Sequence, residues 1–537
     1  MSNITYAIMF FFVQALIGHG CYTVWKIYKH LHMLQLNSYF NERYFAWLLK
    51  RKSQIFHLKE LKPLLALGGM FFYNPLVVLV LFAVIYFQSF LVRSDSPEKK
   101  SLVFTARATR LFVVNLSFLL VAYIGSGVIW WKKGDIWFEL AMGFLVLYNF
   151  LVSAFMIFIN FLLLPLEKLI QYYYYRDAYA YRSTLSDLKV VGVTGSFGKT
   201  TTKYVLTEIL RHKFNTLKTP GSCNTTMGIT KVIRSELKPI HNIFVVEMSA
   251  KKPGDIREIC QLVKPYYGLI TAIGEQHLAT FKTLENIIRT KNELIEALPP
   301  DGMAFFNMDD VNCRELAKSA KCRVVSYGFD NKDLDYCVQD LILNEHGSNF
   351  KVVRKSDNSH VIFQTQLLGK HNIYNIIGAI AVASELGVKL TEMVYPLRQV
   401  VSIPHRLELK RVSKDIIFID DAFNSNPVGS LMALEVLKHI SGQRKIIVTP
   451  GMVELGAKED EYNKIFGEHI AEVADYVILV GQRQTLALQE GLKAKKYSSD
   501  KLLVAFDFAL AKKHLEQILQ SGDVVLFEND LPDNYAE

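Results

Sequence analysis

Gly195, Gly198, Lys199 and Thr200 have the residue types and the spacing of a loop that binds phosphate. They lie in the stretch VGVTGSFGKTTTK, which follows a short β-branched run. Glycines let successive N–H groups point into one concavity, and the start of a following helix favours an anion. A lysine placed here reaches the β/γ-phosphates of ATP, and a threonine hydroxyl binds Mg²⁺. The residues predicted to bind the phosphates are Gly195, Ser196, Gly198, Lys199, Thr200 and Thr201.

The loop departs from the standard P-loop at Val193, where that spacing has a glycine. The match is to the shorter pattern GxxGKT, which also arises by chance in a turn followed by a lysine. By itself, the loop therefore leaves phosphate binding open.

Apolar segments dominate the N-terminal third of the chain. Half of the 537 residues are hydrophobic, and long apolar runs occur at 4–25, 64–93, 109–131 and 137–165. Each run is long enough to cross a bilayer core as a helix, so we expect a membrane region at 1–170 with about four apolar helices. This predicts a multi-pass protein of the bacterial cytoplasmic membrane with its catalytic domains in the cytosol. Buried helices of a soluble core are the alternative.

The basic loop at 26–62 leaves the number of spans open. Its many Lys and Arg residues should keep it on the cytosolic side, together with any domains that use ATP. Four simple membrane spans would place the basic loop and the ATP-using domains on opposite sides of the membrane. Either one apolar segment is re-entrant, or the segment 37–61 lies on the membrane as an amphipathic helix. Attraction to anionic membrane lipids, without nucleic acid, accounts for the net charge of +10.

From about residue 188, apolar β-rich runs alternate with helical patterns. This rhythm predicts mainly parallel sheets covered by helices. We expect two α/β domains, at 185–402 and 403–537, with a hinge at Ser402, Ile403 and Pro404. The predicted strands lie at 190–193, 242–248, 268–273, 303–307 and 322–327, and then at 416–419, 445–449, 476–480, 502–506 and 524–527.

Polar residues follow the loop at strand ends and on helices. Glu247 ends a hydrophobic strand, where a carboxylate can hold Mg²⁺. His277 follows another strand end, and Lys291 lies fourteen residues further on. Taken singly, a solvated carboxylate, a structural histidine and an exposed helix lysine are the more common explanations.

Two further motifs contain asparagines. GKHNIYN places His371, Asn372 and Asn375 at a helix start, where ordinary capping is an equally simple explanation. IDDAFNSNP lies at a strand-to-loop transition, the usual ligand edge of an α/β sheet. It supplies Asp420, Asp421, Asn424 and Asn426.

Ten motifs follow one another in an order that resembles the Mur ligases, the ATP-dependent amide-forming enzymes of bacterial cell-wall synthesis. Within that family the chain is most similar to the branch that adds D-alanyl-D-alanine to the UDP-muramoyl tripeptide. The resemblance runs from about residue 188 to the C-terminus. It implies a central P-loop ATPase domain and a C-terminal Rossmann-like domain. The motifs are TGSFGKTTTK, GSCNTTMGIT, VVEMSA, IGEQHL, TKNEL, NMDD, GKHNIYN, PHRLE, DDAFNSNP and GMVELG.

The resemblance implies catalytic roles for Lys199, His277, Lys291 and Arg406. Lys199 would neutralise the β/γ-phosphates, and Thr200 and Glu247 would hold one Mg²⁺. His277 would help to hold a second Mg²⁺, with Lys291 carboxylated to a carbamate. The implied metal ligands are thus Thr200, Glu247, His277 and Lys291.

Further roles follow from the same resemblance. Asn372 and Asn375 would contact adenine, and Arg406 and Asp421 would clamp the phosphates and ribose as the C-terminal domain closes. The residues assigned to the substrates are Asn224, Thr225, Asn424 and Asn426.

The implied reaction converts an acceptor carboxylate to an acyl phosphate, which an amine attacks to give an amide, ADP and phosphate. Phe423 replaces the usual tyrosine, and Pro450-Gly451 replaces the usual Gly-Asp. The family's small domain for the uridine nucleotide is missing, and the apolar region stands in its place. We therefore expect as partners an amine substrate, a carboxylate-bearing glycan or its lipid-linked precursor, and other enzymes of cell-envelope glycan synthesis.

Two other functions are considered. The apolar segments could form a conduit for an ATP-driven transport or export subunit, although they carry few charged residues for a polar path. The chain could also be an inactive scaffold that keeps the fold. Retention of Lys199, Glu247, His277 and Lys291 argues against a scaffold.

Overall fold

The computed structural model describes residues 3–50, 75–91, 101–133, 135–221, 223–411, 415–423 and 425–531. The apolar run at 64–93 and the basic loop at 26–62 are thus described in part, and Asn424 lies outside the described residues. The chain divides into two compact units between Ile170 and Gln171.

The regular secondary structure of the first unit is helical in its described residues. Buried Ile27, Leu31 and Tyr44 belong to its apolar core. Hydrogen bonds join some of its polar groups: Lys26 Nζ donates to Asn149 O at 2.9 Å. Its helices are α1 (Asn3–Leu36), α2 (Asn41–Lys50), α3 (Pro75–Leu91), α4 (Ala106–Lys133), α5 (Asp135–Phe150) and most of α6 (Val152–Ser183).

The expectation of about four membrane-spanning helices is wrong for this unit. Within the described residues, two stretches are long and apolar enough to cross a membrane, Ala106–Val128 and Val152–Ser183. Helices α3 and α5 have 17 and 16 described residues, fewer than the roughly 20 that a bilayer core requires. One or two long apolar helices also occur in the cores of soluble proteins, so they do not define a multi-pass protein.

A nine-stranded sheet forms the middle of the second unit. The order is β2-β3-β1-β4-β5-β6-β7-β8-β9, parallel from β2 to β7 and antiparallel from β7 to β9. The strands are β1 (Lys189–Thr194), β2 (Thr216–Lys218), β3 (Ile243–Glu247), β4 (Tyr267–Ile270), β5 (Met303–Asn307), β6 (Arg323–Phe329), β7 (Tyr336–Asn344), β8 (Gly347–Arg354) and β9 (Ser359–Thr365).

Helices cover this sheet because its central strands are apolar on both faces, as in β1, where five of six residues are buried. The central helix α13 (Lys370–Glu385) is largely buried. The others are α7 (Lys199–Arg211), α8 (Thr226–Ser235), α9 (Asp255–Val263), α10 (Leu278–Phe281), α11 (Leu284–Glu296), α12 (Val311–Ala317) and α14 (Val394–Gln399).

A second sheet, of six strands in the order β10-β11-β15-β12-β13-β14, forms the C-terminal domain. Only β10 is antiparallel to its neighbour. The strands are β10 (Glu408–Arg411), β11 (Ile417–Asp421), β12 (Arg444–Thr449), β13 (Tyr476–Val480), β14 (Leu502–Ala505) and β15 (Asp523–Glu528), and the helices are α15 (Pro427–His439), α16 (Glu459–Val473), α17 (Leu486–Ala494) and α18 (Phe508–Ile518).

The expectation of two α/β domains is confirmed by these sheets, and parallel strands meet their helices at the carboxyl edge. There the turn from β1 into α7 carries the predicted phosphate loop, and the turn from β11 into α15 carries DDAFNSNP. Ligands of α/β sheets bind at this edge.

Candidate active site

The loop between β1 and α7 requires glycine at two positions. Gly195 has φ +150° and Gly198 has φ +81°. A Cβ on Gly195 would lie 2.0 Å from Thr271 Oγ1, and one on Gly198 would lie 2.1 Å from Asn375 Oδ1. No larger residue fits without moving these groups, and Gly198 caps the N-terminus of α7. The close cradle and the helix N-terminus suit a phosphate group.

Lys199 lies over the loop in the position expected of a phosphate-binding lysine. Its Nζ donates to Gly195 O at 2.7 Å and to Ser196 O at 3.0 Å. Burial lowers the pKa of Lys199 to about 8, a shift that Glu247 opposes and Arg406 increases. Lys199 and Arg406 thus place two cations beside the loop, which favours binding of a polyphosphate.

The hydroxyls of the loop have different surroundings. Ser196 is buried, and its Oγ donates to Gly274 O at 2.7 Å, so it fastens the loop to the segment after β4. Thr201 is buried as well, whereas Thr200 is half-buried. Thr200 is therefore the more accessible hydroxyl for Mg²⁺.

Glu247 is held as a carboxylate at the end of β3. Its Oε2 accepts from Lys203 Nζ at 2.8 Å, and its Oε1 accepts from Asn224 Nδ2 at 2.9 Å. Burial raises the pKa of Glu247, but Lys203, Lys199 and Asn224 outweigh it, so the pKa is lowered overall. An ionised carboxylate suits Mg²⁺, which prefers oxygen ligands.

Lys203 is a site residue that the sequence analysis missed. It lies one turn after Lys199 on α7, its side chain is fully buried, and it also donates to Gly221 O at 2.8 Å. The sequence did contain a signal for Lys203: its i,i+4 spacing from Lys199 places both lysines on one face of the helix.

His277 follows β4 with a left-handed backbone, φ 53°. Its Nδ1 hydrogen-bonds the carboxylate of Glu454 from the GMVELG motif. The structure thus brings His277 to the boundary between the middle and C-terminal domains.

Lys291 is buried on α11, with 4% of its surface exposed. Burial lowers its pKa well below the usual lysine value, and the positive charge of Lys199 adds to this shift. This shift favours the neutral amine over the ammonium. The alternative of an exposed helix lysine does not apply, because the side chain is buried.

The predicted metal ligands do not form a metal-binding cluster of side chains. Within the described ranges, no group of three or more His, Cys, Asp and Glu side chains could hold a metal ion. Thr200 and Glu247 do offer oxygen donors beside the phosphate loop, so they fit a magnesium ion that also binds nucleotide phosphates.

Asn372 and Asn375 lie under the phosphate loop at the start of α13. Asn375 Oδ1 accepts from Thr202 Oγ1 at 3.3 Å, and its Nδ2 donates to Asn372 Oδ1 at 3.3 Å. Asn372 Nδ2 donates to Leu368 O at 2.8 Å. These amide side chains support the phosphate loop through their hydrogen bonds. The predicted contact of Asn372 and Asn375 with adenine stays a prediction.

The C-terminal domain contributes Arg406, whose guanidinium lies 4.2 Å from the centre of the Phe423 ring. Burial lowers the pKa of Arg406, opposed by Asp421 and Glu247. The charges of Glu247 and Lys199 thus act on Arg406 from the other domain. Arg406 is therefore a group of the C-terminal domain that lies close to Lys199 and Glu247 of the middle domain.

Asp421 forms a buried acid pair with Glu528, a second residue that the sequence analysis missed. The two occupy paired positions on β11 and β15. Burial raises the pKa of Asp421 to about 6, although the N–H of Leu407 and the charge of Arg406 oppose it. Burial and Asp421 raise the pKa of Glu528, whose Oε1 accepts from Ser425 Oγ at 2.6 Å. The pair retains a proton to higher pH than a lone carboxyl group.

The residues assigned to the substrates have structural contacts. Thr225 caps α8 by accepting from Gly228 N, and Asn426 caps α15 by accepting from Gly429 N at 3.0 Å. Asn224 binds Glu247, as described above. Their substrate roles, like the Asn424 assignment, stay predictions.

Comparison with known families identifies the fold and its site. The Mur ligase middle domain matches residues 193–383, and the Mur ligase glutamate ligase domain matches residues 405–528. Both matched segments contain the groups that surround the phosphate loop. The chain therefore belongs to the Mur ligase family.

Among its relatives, the chain is similar to the UDP-N-acetylmuramoyl-tripeptide--D-alanyl-D-alanine ligases. It is 29% identical to that of Bacillus subtilis (strain 168) over 346 residues, 63% of this chain and 72% of the relative. It is 28% identical to that of Escherichia coli (strain K12), over 62% of this chain and 74% of the relative.

Solved structures give the same result. MurF from Thermotoga maritima in complex with ADP has 27% identity and a TM-score of 0.59, covering 67% of this chain and 80% of that one. MurF from Acinetobacter baumannii has 28% identity and the same TM-score, covering 67% and 77%. The predicted MurF-like branch is confirmed.

The family makes this chain an ATP-dependent, ADP-forming ligase of cell-wall synthesis, which confirms the predicted enzyme class. The predicted multi-pass location in the bacterial cytoplasmic membrane is wrong. The relatives matched here are MurF ligases, and the described residues contain two long apolar helices, not four.

Proposed function

We propose that the chain joins an amine to a carboxylate on a cell-envelope glycan, or on its lipid-linked precursor, through an acyl phosphate. An acceptor carboxylate oxygen would attack the γ-phosphorus of ATP, and ADP would leave. The amine would then attack the acyl carbon, lose a proton and expel phosphate, which leaves an amide.

The observation that carries this proposal is the arrangement of Lys199, Arg406 and Glu247 around a glycine cradle. Two cations from two domains lie close together beside the cradle, which supports stabilisation of the charge that would shift from the γ-phosphate to ADP. Phosphoryl transfer depends mainly on positioning and on electrostatic stabilisation. This arrangement supplies both without a strong base.

Each residue has a separate task in this reaction. Lys199 and the loop N–H groups would bind the phosphates, and Thr200 and Glu247 would hold Mg²⁺, which neutralises phosphate charge. Lys203 and Asn224 would keep Glu247 ionised and oriented, as their hydrogen bonds to both of its oxygens support.

Lys291 would act as a carbamate in this proposal. Its amine is buried, and the lowered pKa favours the neutral form, which can attack CO₂ and release a proton to give an anion. That anion and His277 would hold a second Mg²⁺.

The choice of acceptor is supported by the region before the family match. The family match begins at residue 193, and the described residues before β1 form helices α1–α6 and no strand. Phe423 also presents an apolar ring beside Arg406 where the family has a tyrosine.

The proposal is tested by supplying ATP, Mg²⁺ and one acceptor at a time. The acceptors are UDP-muramoyl tripeptide, a soluble glycan carboxylate and a lipid-linked glycan carboxylate, each with D-Ala-D-Ala or single amino acids. We expect ADP release only with a glycan carboxylate plus an amine, and a product whose mass is their sum less water. Equal activity with UDP-muramoyl tripeptide and D-Ala-D-Ala would contradict the proposed acceptor.

A further inference from the structure

A broad groove lies at the amino edge of the nine-stranded sheet, opposite the edge that carries the phosphate loop. The first residues of three neighbouring strands line it: Lys189 of β1, Tyr267 of β4 and Met303 of β5. The C-terminal parts of helices α6, α9 and α11 supply most of the remaining wall. Since β1 has six residues that rise about 3.3 Å each, the groove lies roughly 20 Å from the phosphate loop. It is therefore separate from the nucleotide site.

The size of the groove suits a ligand made of several units. Its volume is about 1930 Å³. Pockets that hold one drug-sized molecule have volumes of roughly 300–1,000 Å³. The groove thus has room for a segment of a chain.

Tyrosine rings form much of the wall. Tyr172 and Tyr173 on α6 are 57% and 67% exposed. The ring centres of Tyr266 and Tyr267 lie 5.0 Å apart, and the Tyr266 hydroxyl donates to Asp301 O at 2.6 Å, which orients its ring. Exposed apolar surface of this kind marks an interaction site. The C–H face of a sugar can stack on such a ring while the sugar hydroxyls stay hydrated.

Two cations lie beside another tyrosine of the wall, Tyr179. The Lys264 Nζ atom is 5.0 Å from the centre of the Tyr179 ring. Arg182 donates from Nε to Val263 O at 2.8 Å and from Nη2 to Lys264 O at 3.3 Å, which fixes its guanidinium group. The hydrogen bond and charge of Lys264 lower the pKa of Tyr179, and Arg182 adds to this shift. Lys264 and Arg182 therefore lie close to the same phenol.

These two cations are available to a ligand. The acidic groups of the wall include Glu293, which accepts from Gly254 N at 2.7 Å, and Glu296, which pairs with Arg257 at 3.5 Å. Among the described residues, neither Lys264 nor Arg182 forms an ion pair with a carboxylate. A carboxylate of a bound ligand would supply the missing anion.

The overall charge of the wall favours a glycan over a nucleic acid. Sites for single-stranded nucleic acid combine stacking rings with a strongly positive groove that follows the phosphates. Here the lining mixes Lys and Arg with Asp and Glu in nearly equal numbers. Such a wall suits an uncharged chain of hydroxyl-bearing rings that carries an occasional carboxylate.

We propose that this groove binds a segment of a carboxylate-bearing glycan, with sugar faces on Tyr172 and Tyr173 and a sugar carboxylate at Lys264 and Arg182. This inference rests on the proposed function, which makes such a glycan the acceptor. It adds a second contact with the glycan on the far edge of the sheet. The bound segment and the reacting carboxylate would thus belong to different parts of one chain.

The test is calorimetric binding of three probes to the full chain without ATP: an oligogalacturonate, maltohexaose and an oligoglutamate. The oligogalacturonate should bind most tightly, because it alone offers both sugar faces and carboxylates. Tyr173→Ala and Lys264→Met should each weaken its binding about threefold to tenfold. Lys264→Met should also make the binding less sensitive to salt.

Matched controls lie outside the groove. Tyr395 is 64% exposed and Lys512 is similarly exposed, so Tyr395→Ala and Lys512→Met remove the same groups elsewhere and should bind the oligogalacturonate like wild type. Thermal unfolding shows that each variant is folded. With a long acceptor glycan, Tyr173→Ala should raise the KM for the acceptor and leave kcat unchanged.

Four results would overturn the inference. They are no binding of the oligogalacturonate, equal binding of the oligoglutamate, wild-type binding by both Tyr173→Ala and Lys264→Met, and tighter binding of an oligothymidylate. Failure of the proposed function is seen separately, as no ADP release with any glycan and amine. Oligogalacturonate binding that weakens in the two groove variants would support the groove even then, because that measurement contains no ATP.

Discussion

Lys203 Nζ lies 2.8 Å from Glu247 Oε2, and both side chains are almost completely removed from solvent. Removing one partner of a buried ion pair leaves an uncompensated charge, which costs more than losing the pair as a whole. This pair joins the helix after the phosphate loop to the strand that ends at the predicted magnesium ligand.

We therefore expect Lys203→Met to lower the free energy of unfolding by about 3–5 kcal/mol, measured by urea titration. The double variant Lys203→Met/Glu247→Gln should recover part of this loss because it buries no charge. Lys318→Met removes an exposed pair with Glu315 and should cost about 1 kcal/mol or less. Equal losses in the single and double variants would contradict this account.

A second prediction concerns the glycine cradle. Gly198→Ala places a Cβ 2.1 Å from Asn375 Oδ1, whereas Gly387, with a similar φ of 91°, has nothing within 4 Å of its Cβ position. Both alanines meet the same backbone strain. Only Gly198→Ala should also displace the loop, which we expect to cost about 1–3 kcal/mol. Calorimetry should therefore show ADP binding that is weaker by about 10–100-fold. Comparable weakening by Gly387→Ala would mean that strain elsewhere, not the cradle, controls binding.

A third prediction concerns the Asp421–Glu528 pair and pH. The folded-state pKa of Asp421 is raised to about 6, above the unfolded value near 3.8. The contribution of Asp421 to the free energy of unfolding is thus fully present below pH 4 and is lost as the pH rises through 6. The Asp421→Asn variant does not undergo this loss. Its free energy of unfolding, relative to that of wild type, should therefore rise by about 1–3 kcal/mol from pH 4 to pH 7.

The measurement for this pair is chemical unfolding of both proteins across that pH range. Glu528→Gln should shift the curve in the same direction, since it removes a second carboxyl group whose pKa is raised by burial and by Asp421. Parallel stability curves for wild type and Asp421→Asn would show that the pair does not retain its proton.

A fourth prediction concerns Lys291. If Lys291 forms a carbamate, depletion of CO₂ should lower amide formation by at least about tenfold, and bicarbonate should restore it. A carbamate carbon should appear in the spectrum of protein supplied with ¹³C-bicarbonate. Lys291→Arg should lose both the signal and the activity, whereas the exposed Lys512→Arg should keep both. Unchanged amide formation by Lys291→Ala would exclude the carbamate.

Local sequence was sufficient to predict most of the parallel strands. β13 is predicted at 476–480 and lies at Tyr476–Val480, because a short apolar β-branched run needs no distant information. The three-residue strand β2 and the β7–β9 extension escaped prediction because strands were expected only at continuous apolar runs, which these strands lack.

The missed site residues depend on contacts between distant parts of the chain. Glu528 meets Asp421 through the register of β15 on β11, and Glu454 meets His277 through the domain boundary. Glu528 is marked by no local pattern, and the GMVELG motif that contains Glu454 does not show that Glu454 meets His277. The multi-pass expectation was wrong because an apolar run alone does not separate a membrane helix from a helix of a protein core.

The central claim is that this ligase activates a carboxylate by phosphorylation, and ¹⁸O transfer tests it most directly. The acceptor that supports ATP consumption is labelled with ¹⁸O in its carboxylate and incubated with ATP, Mg²⁺ and the amine. Because the attacking oxygen leaves with the phosphate, each amide formed should release one phosphate that carries one ¹⁸O, detected by mass spectrometry. Lys199→Ala should abolish both products. Amide formed together with unlabelled phosphate would contradict the account.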